Sequence, residues 1–276
     1  MGRLFPPSSS PPSSPRGATA IVVVLACLFA RSRPAVAAEG ERIPVVAGIA
    51  GGALGLSALL TLFEDQLAPS ACRICASNRF DESVRDTVKW DNPKDAKWVS
   101  DGLLVAIPAS AIAGAFAIGA KTDYRRGFED ALLVVESVSI AGLGSQIVKL
   151  IAARERPFAS HGTGTYAANT DDHLSYFSGH TALTMAAATS LATVERLRGN
   201  SAWPYLMTGG MALALTTGYL RMGADKHWFS DVLSGAGFGA AAGLVVPRLH
   251  LGRTGSVGKE NGVTVLATPF ALMGTF

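Results

Sequence analysis

Ser178-Gly179-His180-Thr181 lies between two basic clusters, Lys149-Leu150-Ile151-Ala152-Ala153-Arg154-Glu155-Arg156-Pro157 upstream and Arg221-Met222-Gly223-Ala224-Asp225-Lys226-His227-Trp228-Phe229-Ser230-Asp231 downstream. Ser178 ends a polar connection, and an apolar helical run begins at Thr181. A Ser at a helix N-cap, a Gly that admits a close backbone approach and a His on the first turn make an anion site. The positive end of the helix and its exposed N–H groups favour a phosphate there. Lys149 and Arg156 are two helical turns apart, so a continuous helix would hold them on one face about 10 Å apart. Pro157 ends that helix or forces an extended turn. His227 and Asp231 are one turn apart, so the carboxylate can accept from one imidazole nitrogen. That bond would fix the tautomer and leave the other nitrogen as a nucleophile. Arg221 precedes Gly223, where the chain is expected to leave its helix and turn the guanidinium fork toward a phosphate.

The three segments resemble the signature of the type 2 phosphatidic acid phosphatase (PAP2) superfamily. Its first motif, K-x6-R-P, is matched by Lys149, Arg156 and Pro157. Its second, P-S-G-H, is matched by Ser178, Gly179 and His180, with Phe177 in place of Pro. Its third, S-R-x5-H-x3-D, is matched by Arg221, His227 and Asp231, with Leu220 in place of Ser. The resemblance covers roughly residues 100 to 247. It implies an all-α, PAP2-type helical bundle and a hydrolase with no cofactor and no metal. The implied roles are attack on phosphorus by His227, orientation of that imidazole by Asp231, and proton transfer to the leaving oxygen by His180. Lys149, Arg156, Arg221, Ser178 and the Gly179 amide would hold the phosphoryl oxygens.

Composition agrees with a membrane setting. Charged residues make up 16% of the 276 residues and hydrophobic ones 49%, with a net charge of only +3 and no long basic run to suggest nucleic acid. A soluble, Ala-rich helical protein is the alternative. Six apolar stretches, Ile43–Phe63, Leu103–Ala120, Ala131–Ala153, Thr181–Val194, Trp203–Leu220 and Val232–Val246, give about six transmembrane helices. Gly and Ala in them allow close helix packing. Lys121, Arg125 and Arg126 fall in one short loop, Arg196 and Arg198 in another, and Arg248 and Arg253 follow the last span. The positive-inside rule makes that side cytoplasmic and puts the three motifs together on the outer face.

The expected organisation is a leader-like segment at 1–38, a first apolar helix with its connection at 39–100, a catalytic helical domain at 101–247 and a tail at 248–276. The leader has basic residues, an apolar run and Ala35-Val36-Ala37, as a signal peptide does. Its cleavage would conflict with six spans and an outer active site. Cys27 lies in a context that fits acylation poorly, and Cys72 and Cys75 read as a local disulfide or two free thiols. The expected location is a bacterial inner membrane with the site facing the periplasm, the alternative being the periplasm itself. A lipid phosphate or pyrophosphate is the expected substrate, with small phosphomonoesters or a catalytically silent lipid-binding role as alternatives.

Several further polar residues take plainer readings. His161 and His173 read as exposed loop residues and Asp171-Asp172 as a solvated turn, and the plain alternative for the first motif is that Lys149 reaches an interface while Arg154 and Arg156 sit in solvent. Glu136 reads as a carboxylate inside an apolar helix that pairs with a neighbouring helix. Asp225 and Lys226 sit where they would shape headgroup access, and Gly262–Phe276 alternates loosely enough for a strand.

Overall fold

The computed structural model describes residues 42–166, 170–252 and the strand segments 259–260, 263–268 and 271–275. The expected leader and Cys27 lie outside the described residues. The helices in chain order are α1 (Arg42–Leu62), α2 (Glu64–Leu67), α3 (Arg79–Val88), α4 (Pro93–Ala120), α5 (Tyr124–Ala152), α6 (Pro157–Ser160), α7 (Gly179–Leu197), α8 (Trp203–Gly223) and α9 (Phe229–Leu251), with a 3₁₀ turn at Thr170–His173. The body is all-α, and each of the six apolar stretches lies within one of the six long helices apart from its last residue in two cases. In the tail, β1 (Lys259–Glu260), β2 (Val263–Thr268) and β3 (Ala271–Thr275) pair antiparallel in sequence order, with Val265 opposite Gly274.

Four helices, α1, α4, α5 and α9, are long and apolar enough to cross a membrane, with mean hydropathies of 2.0, 2.0, 1.7 and 1.5 over their most apolar windows. The polarity of α7 has a reason in the packing. It is the central helix, touched by α4, α5, α8 and α9, so its surface meets protein. Thr184, Thr189 and Thr193 are buried and return their hydroxyls to carbonyls one turn back. Ser190 shares a hydrogen bond with Ser137 of α5. A helix enclosed by others needs no lipid-facing apolar surface, which is why α7 can carry so many hydroxyls.

The direction of each helix decides what meets at each end. Val46, near the start of α1, packs with Leu133 early in α5 and with Val194 and Leu251 at the ends of α7 and α9. At the other end, Gln146 late in α5 donates to Thr61 late in α1. Thus α1 and α5 run toward one end while α7 and α9 run away from it. The connections 63–92, 153–178 and 224–228 therefore emerge together, and the turns at 121–123 and 198–202 emerge at the opposite end.

A glycine stripe brings the second and third motifs into contact. A Cβ on Gly235, Gly239 or Gly243 of α9 would lie 2.5, 2.2 or 2.1 Å from Ser178 O, Ala182 O or Thr189 Oγ1 respectively. Only glycine at this spacing lets α9 rest on the backbone of α7. The approach also allows the Ser178 amide to donate to the Asp231 carbonyl at 3.0 Å.

Candidate active site

All eight expected residues lie at the end where the motif-bearing connections emerge. The first motif does not follow a continuous helix. α5 stops at Ala152, and Ala153 takes a left-handed conformation with φ 44°. Arg156 then caps the short helix α6, which begins at Pro157. Lys149 and Arg156 thus approach the site by way of a turn rather than a shared helix face. The turn is pinned from outside. The Arg73 amide donates to Ala153 O at 2.9 Å, Glu155 N donates to Ile74 O at 3.1 Å, and Ile74 pairs with Arg154 in a parallel bridge. Arg73 and Ile74 are the two residues spanned by the Cys72–Cys75 disulfide, so the disulfide loop is the clip that holds the first motif.

His227 is 2% exposed, and its neighbours define its tautomer. Nδ1 lies 2.8 Å from the Ser175 carbonyl, which can only accept, so Nδ1 carries the proton. Nε2 faces an Arg156 Nη at 3.3 Å, which can only donate, so Nε2 holds a lone pair. The expected bond to Asp231 is not formed: Oδ2 is 3.8 Å from Nδ1. That oxygen accepts from the Ser175 hydroxyl at 2.6 Å and from the Trp228 amide at 3.0 Å, closing the N-terminal turn of α9. Asp231 therefore reaches His227 through Ser175. Burial holds the His227 imidazole well below its usual pKa, and the charges of Arg156, Arg221, Lys149 and His180 act in the same direction. These four groups and His227 form one electrostatic cluster in which Nε2 keeps its lone pair.

Asp231 is anchored by residues the motifs do not include. Its Oδ1 accepts from Arg154 at 2.6 Å, and Arg154 also donates to Asp81 of α3 at 2.8 Å. Asp81 takes the amide and hydroxyl of Ser230 at 2.9 and 2.7 Å. Arg154 is 6% exposed, with its two terminal nitrogens engaged by Ser230, Asp231 and Asp81. The same helix α3 presents Arg85, whose fork grips Asp225 at 2.6 and 2.8 Å. Helix α3 is therefore a brace across the first and third motifs.

His180 stands on the first turn of α7, and Nε2 is 2.8 Å from Asp101 Oδ1 of α4. The same carboxylate receives Arg221 at 3.2 Å and Lys97 at 2.6 Å. Asp101 had no place in the sequence reading because hydropathy starts α4 at Leu103. The signal was present: Asn92-Pro93 is a helix start with Pro at the first position, and Lys97 and Asp101 are spaced one turn apart.

Ser178 is the cap residue of α7, yet its hydroxyl caps nothing and instead accepts from Thr181 at 2.9 Å. Gly179 lies close against α5: a Cβ there would press on Ser145 Oγ at 3.0 Å, with Lys149 Nζ at an ordinary contact distance of 3.7 Å. Lys149 has no ion-pair partner among the described residues.

The remaining polar residues are placed as follows. Glu136 pairs with His250 of α9 at 3.1 Å, as expected of a carboxylate between helices. His161 lies 3.1 Å from Glu82. Lys226 is buried over the rings of Tyr166 and Phe158 at 3.8 and 4.4 Å. Burial, followed by the charge of Arg156, lowers its pKa to about 8. Asp171 is no solvated turn: its carboxylate meets the Arg156 guanidinium and lies 3.7 Å from Lys226.

A cavity of about 240 Å³ opens beside this cluster. Leu54, Leu104, Val138, Gly142 and Leu183 line its apolar part, and Ser145, Lys149, Gly179 and His180 its polar end. It lies between α1, α4, α5 and α7, three of which are membrane-span candidates.

No curated protein and no solved structure matches the chain. The model of the PAP2 superfamily matches residues 130–254, a segment that holds all three motifs, most of α5 and all of α6 to α9. That match, falling on a bundle whose ends bring the three motifs together, supports membership of the PAP2 superfamily and an activity on phosphate esters.

Proposed function

We propose that the protein is a membrane phosphatase that hydrolyses a lipid phosphate or pyrophosphate through a phosphohistidine on His227. The observation that carries the lipid reading is the cavity. Its wall is apolar, it lies among helices apolar enough to span, and its inner end is Lys149 and His180. A phosphorylated lipid can lay its chain there while its headgroup meets the cationic cluster.

In this mechanism His227 Nε2 attacks phosphorus, and the Ser175 carbonyl accepts the Nδ1–H as positive charge grows on the ring. Asp231 steadies Ser175 through its hydroxyl. His180 gives a proton to the leaving oxygen and then takes one from the attacking water, with Asp101 as its partner. Lys149, Arg156 and Arg221 neutralise the phosphoryl oxygens, so hydrolysis is expected to continue in excess EDTA. The positive turns at the opposite end favour an outward, periplasmic orientation of the site.

The test is to fill the cavity. Gly142→Phe should lower kcat/KM for a long-chain lipid phosphate at least about tenfold, the loss of one or two methylene-sized contacts' worth of binding. Hydrolysis of p-nitrophenyl phosphate by the same variant should change little. Equal loss on both substrates would remove the lipid reading and favour a small phosphomonoester.

A further inference from the structure

We infer that Asp171 sets the affinity of the phosphate site: its carboxylate sits on the cations that would hold a phosphoryl group and is displaced when one binds. The inference rests on the phosphatase reading above.

The donors of Arg156 show the occupancy. Nε donates to the Asp171 carbonyl at 2.8 Å, one terminal nitrogen meets the Lys226 carbonyl at 2.8 Å and His227 at 3.3 Å, and the other meets the Asp171 carboxylate. Of the five N–H groups of a guanidinium, four are thus engaged and the side chain is almost fully used without substrate. The second oxygen of Asp171 lies 3.7 Å from Lys226. Burial raises the pKa of this carboxyl, yet Arg156, Lys149 and Lys226 overcome it and hold it at about 2. Asp171 is therefore an anion seated between Arg156 of the first motif and Lys226 beside the third, where an anionic phosphoryl group would also sit.

The carboxylate is built to leave. Its side chain is 33% exposed, whereas Arg156 is 3% and Lys226 8% exposed. Asp171 approaches from the open side and the cations are fixed beneath it. The main chain has separate anchors: Arg156 Nε on the Asp171 carbonyl and the Arg156 amide on the Asp172 carbonyl, both at 2.8 Å. The side chain can rotate away while the turn stays in place. Its two oxygens bridge Arg156 and Lys226 and offset their mutual repulsion, and with phosphate present it competes for them. Charge competition weakens retention of phosphate, including the product.

The two effects give opposite signs for Asp171→Asn, which keeps the shape and removes the charge. The full-length protein in detergent is compared as wild type, Asp171→Asn, Asp171→Glu and Arg156→Ala, with inorganic phosphate and orthovanadate as probes in inhibition and thermal-shift titrations. Asp171→Asn should lower Ki for both probes about tenfold, equivalent to about 1.4 kcal/mol. KM should fall with it, without a rise in kcat. Asp171→Glu should stay near wild type. Unchanged or weaker binding in Asp171→Asn would overturn the inference and leave Asp171 as an organiser of Arg156. Should the Asn variant fail to fold, Asp171→Ser, neutral and shorter, carries the same expectation and the same disproof. If wild type binds neither probe in an Arg156-dependent way, the phosphatase reading itself falls and this inference with it.

Discussion

Both ends of the bundle bury charge, but they do so with opposite logic. At the end away from the motifs, Glu129 and Asp130 at the start of α5 close on Arg198 at 2.8 and 2.7 Å. Asn200 donates to Glu195 at 2.7 Å. The two carboxylates facing Arg198 have side chains 5% and 1% exposed, and Arg126 adds a second cation 3.9 Å from Asp130. This is a clasp between α5 and the end of α7. At the motif end, Lys149, Arg156, Arg221 and Lys226 converge on one region, and the carboxylates facing them, Asp101 and Asp171, are 31% and 33% exposed. The difference teaches how to tell structural charge from functional charge in one fold. A structural cluster is paired and closed, whereas a site gathers one sign beneath counter-ions that remain open to solvent.

The largest effect expected under this comparison is at His227. His227→Ala should abolish turnover and leave no acid-labile phosphoenzyme in rapid-quench trapping with labelled substrate, while the protein still folds. A phosphoenzyme in that variant would remove the nucleophile from the proposal.

The clasp should behave in the reverse way. Arg198→Ala takes from two buried carboxylates the guanidinium that bridges them, and breaking a buried pair in this way typically costs about 3–5 kcal/mol. Chemical denaturation should show that loss, while kcat per folded molecule stays near wild type. Lost activity at unchanged stability would break the distinction between the two ends.

A smaller effect is expected in the pH dependence of stability. The folded protein keeps His227 neutral well below its usual range, whereas an unfolded imidazole takes up a proton near pH 6.5. The unfolded state therefore binds more protons below that pH, and stability falls as pH drops. Above it this group has no effect. One such proton contributes at most about 1.4 kcal/mol per pH unit. His227→Gln should flatten the acid limb of the stability curve by up to that slope. Equal acid limbs in both proteins would mean that the folded imidazole is charged, against the Nδ1–H tautomer.

The sequence by itself determined the six long helices, because apolar runs punctuated by charged turns specify spans locally. It also determined which residues converge, since the three motifs fall on connections that alternate to one end. It located Glu136 as a carboxylate in need of a partner. Tertiary structure alone decided the partners. His227 leans on the Ser175 carbonyl and not on Asp231, because Asp231 is consumed in closing the first turn of its own helix. Lys149 and Arg156 meet across a left-handed turn at Ala153 that helical spacing does not foretell. Asp81, Asp101 and Asp171 come from α3, α4 and a 3₁₀ turn, each far in sequence from the group it serves. Periodicity along a chain records what lies one or two turns away. A carboxylate's choice of cation depends on which helix ends are brought together, and a glycine stripe on α9 brings two of them together by letting that helix rest on α7.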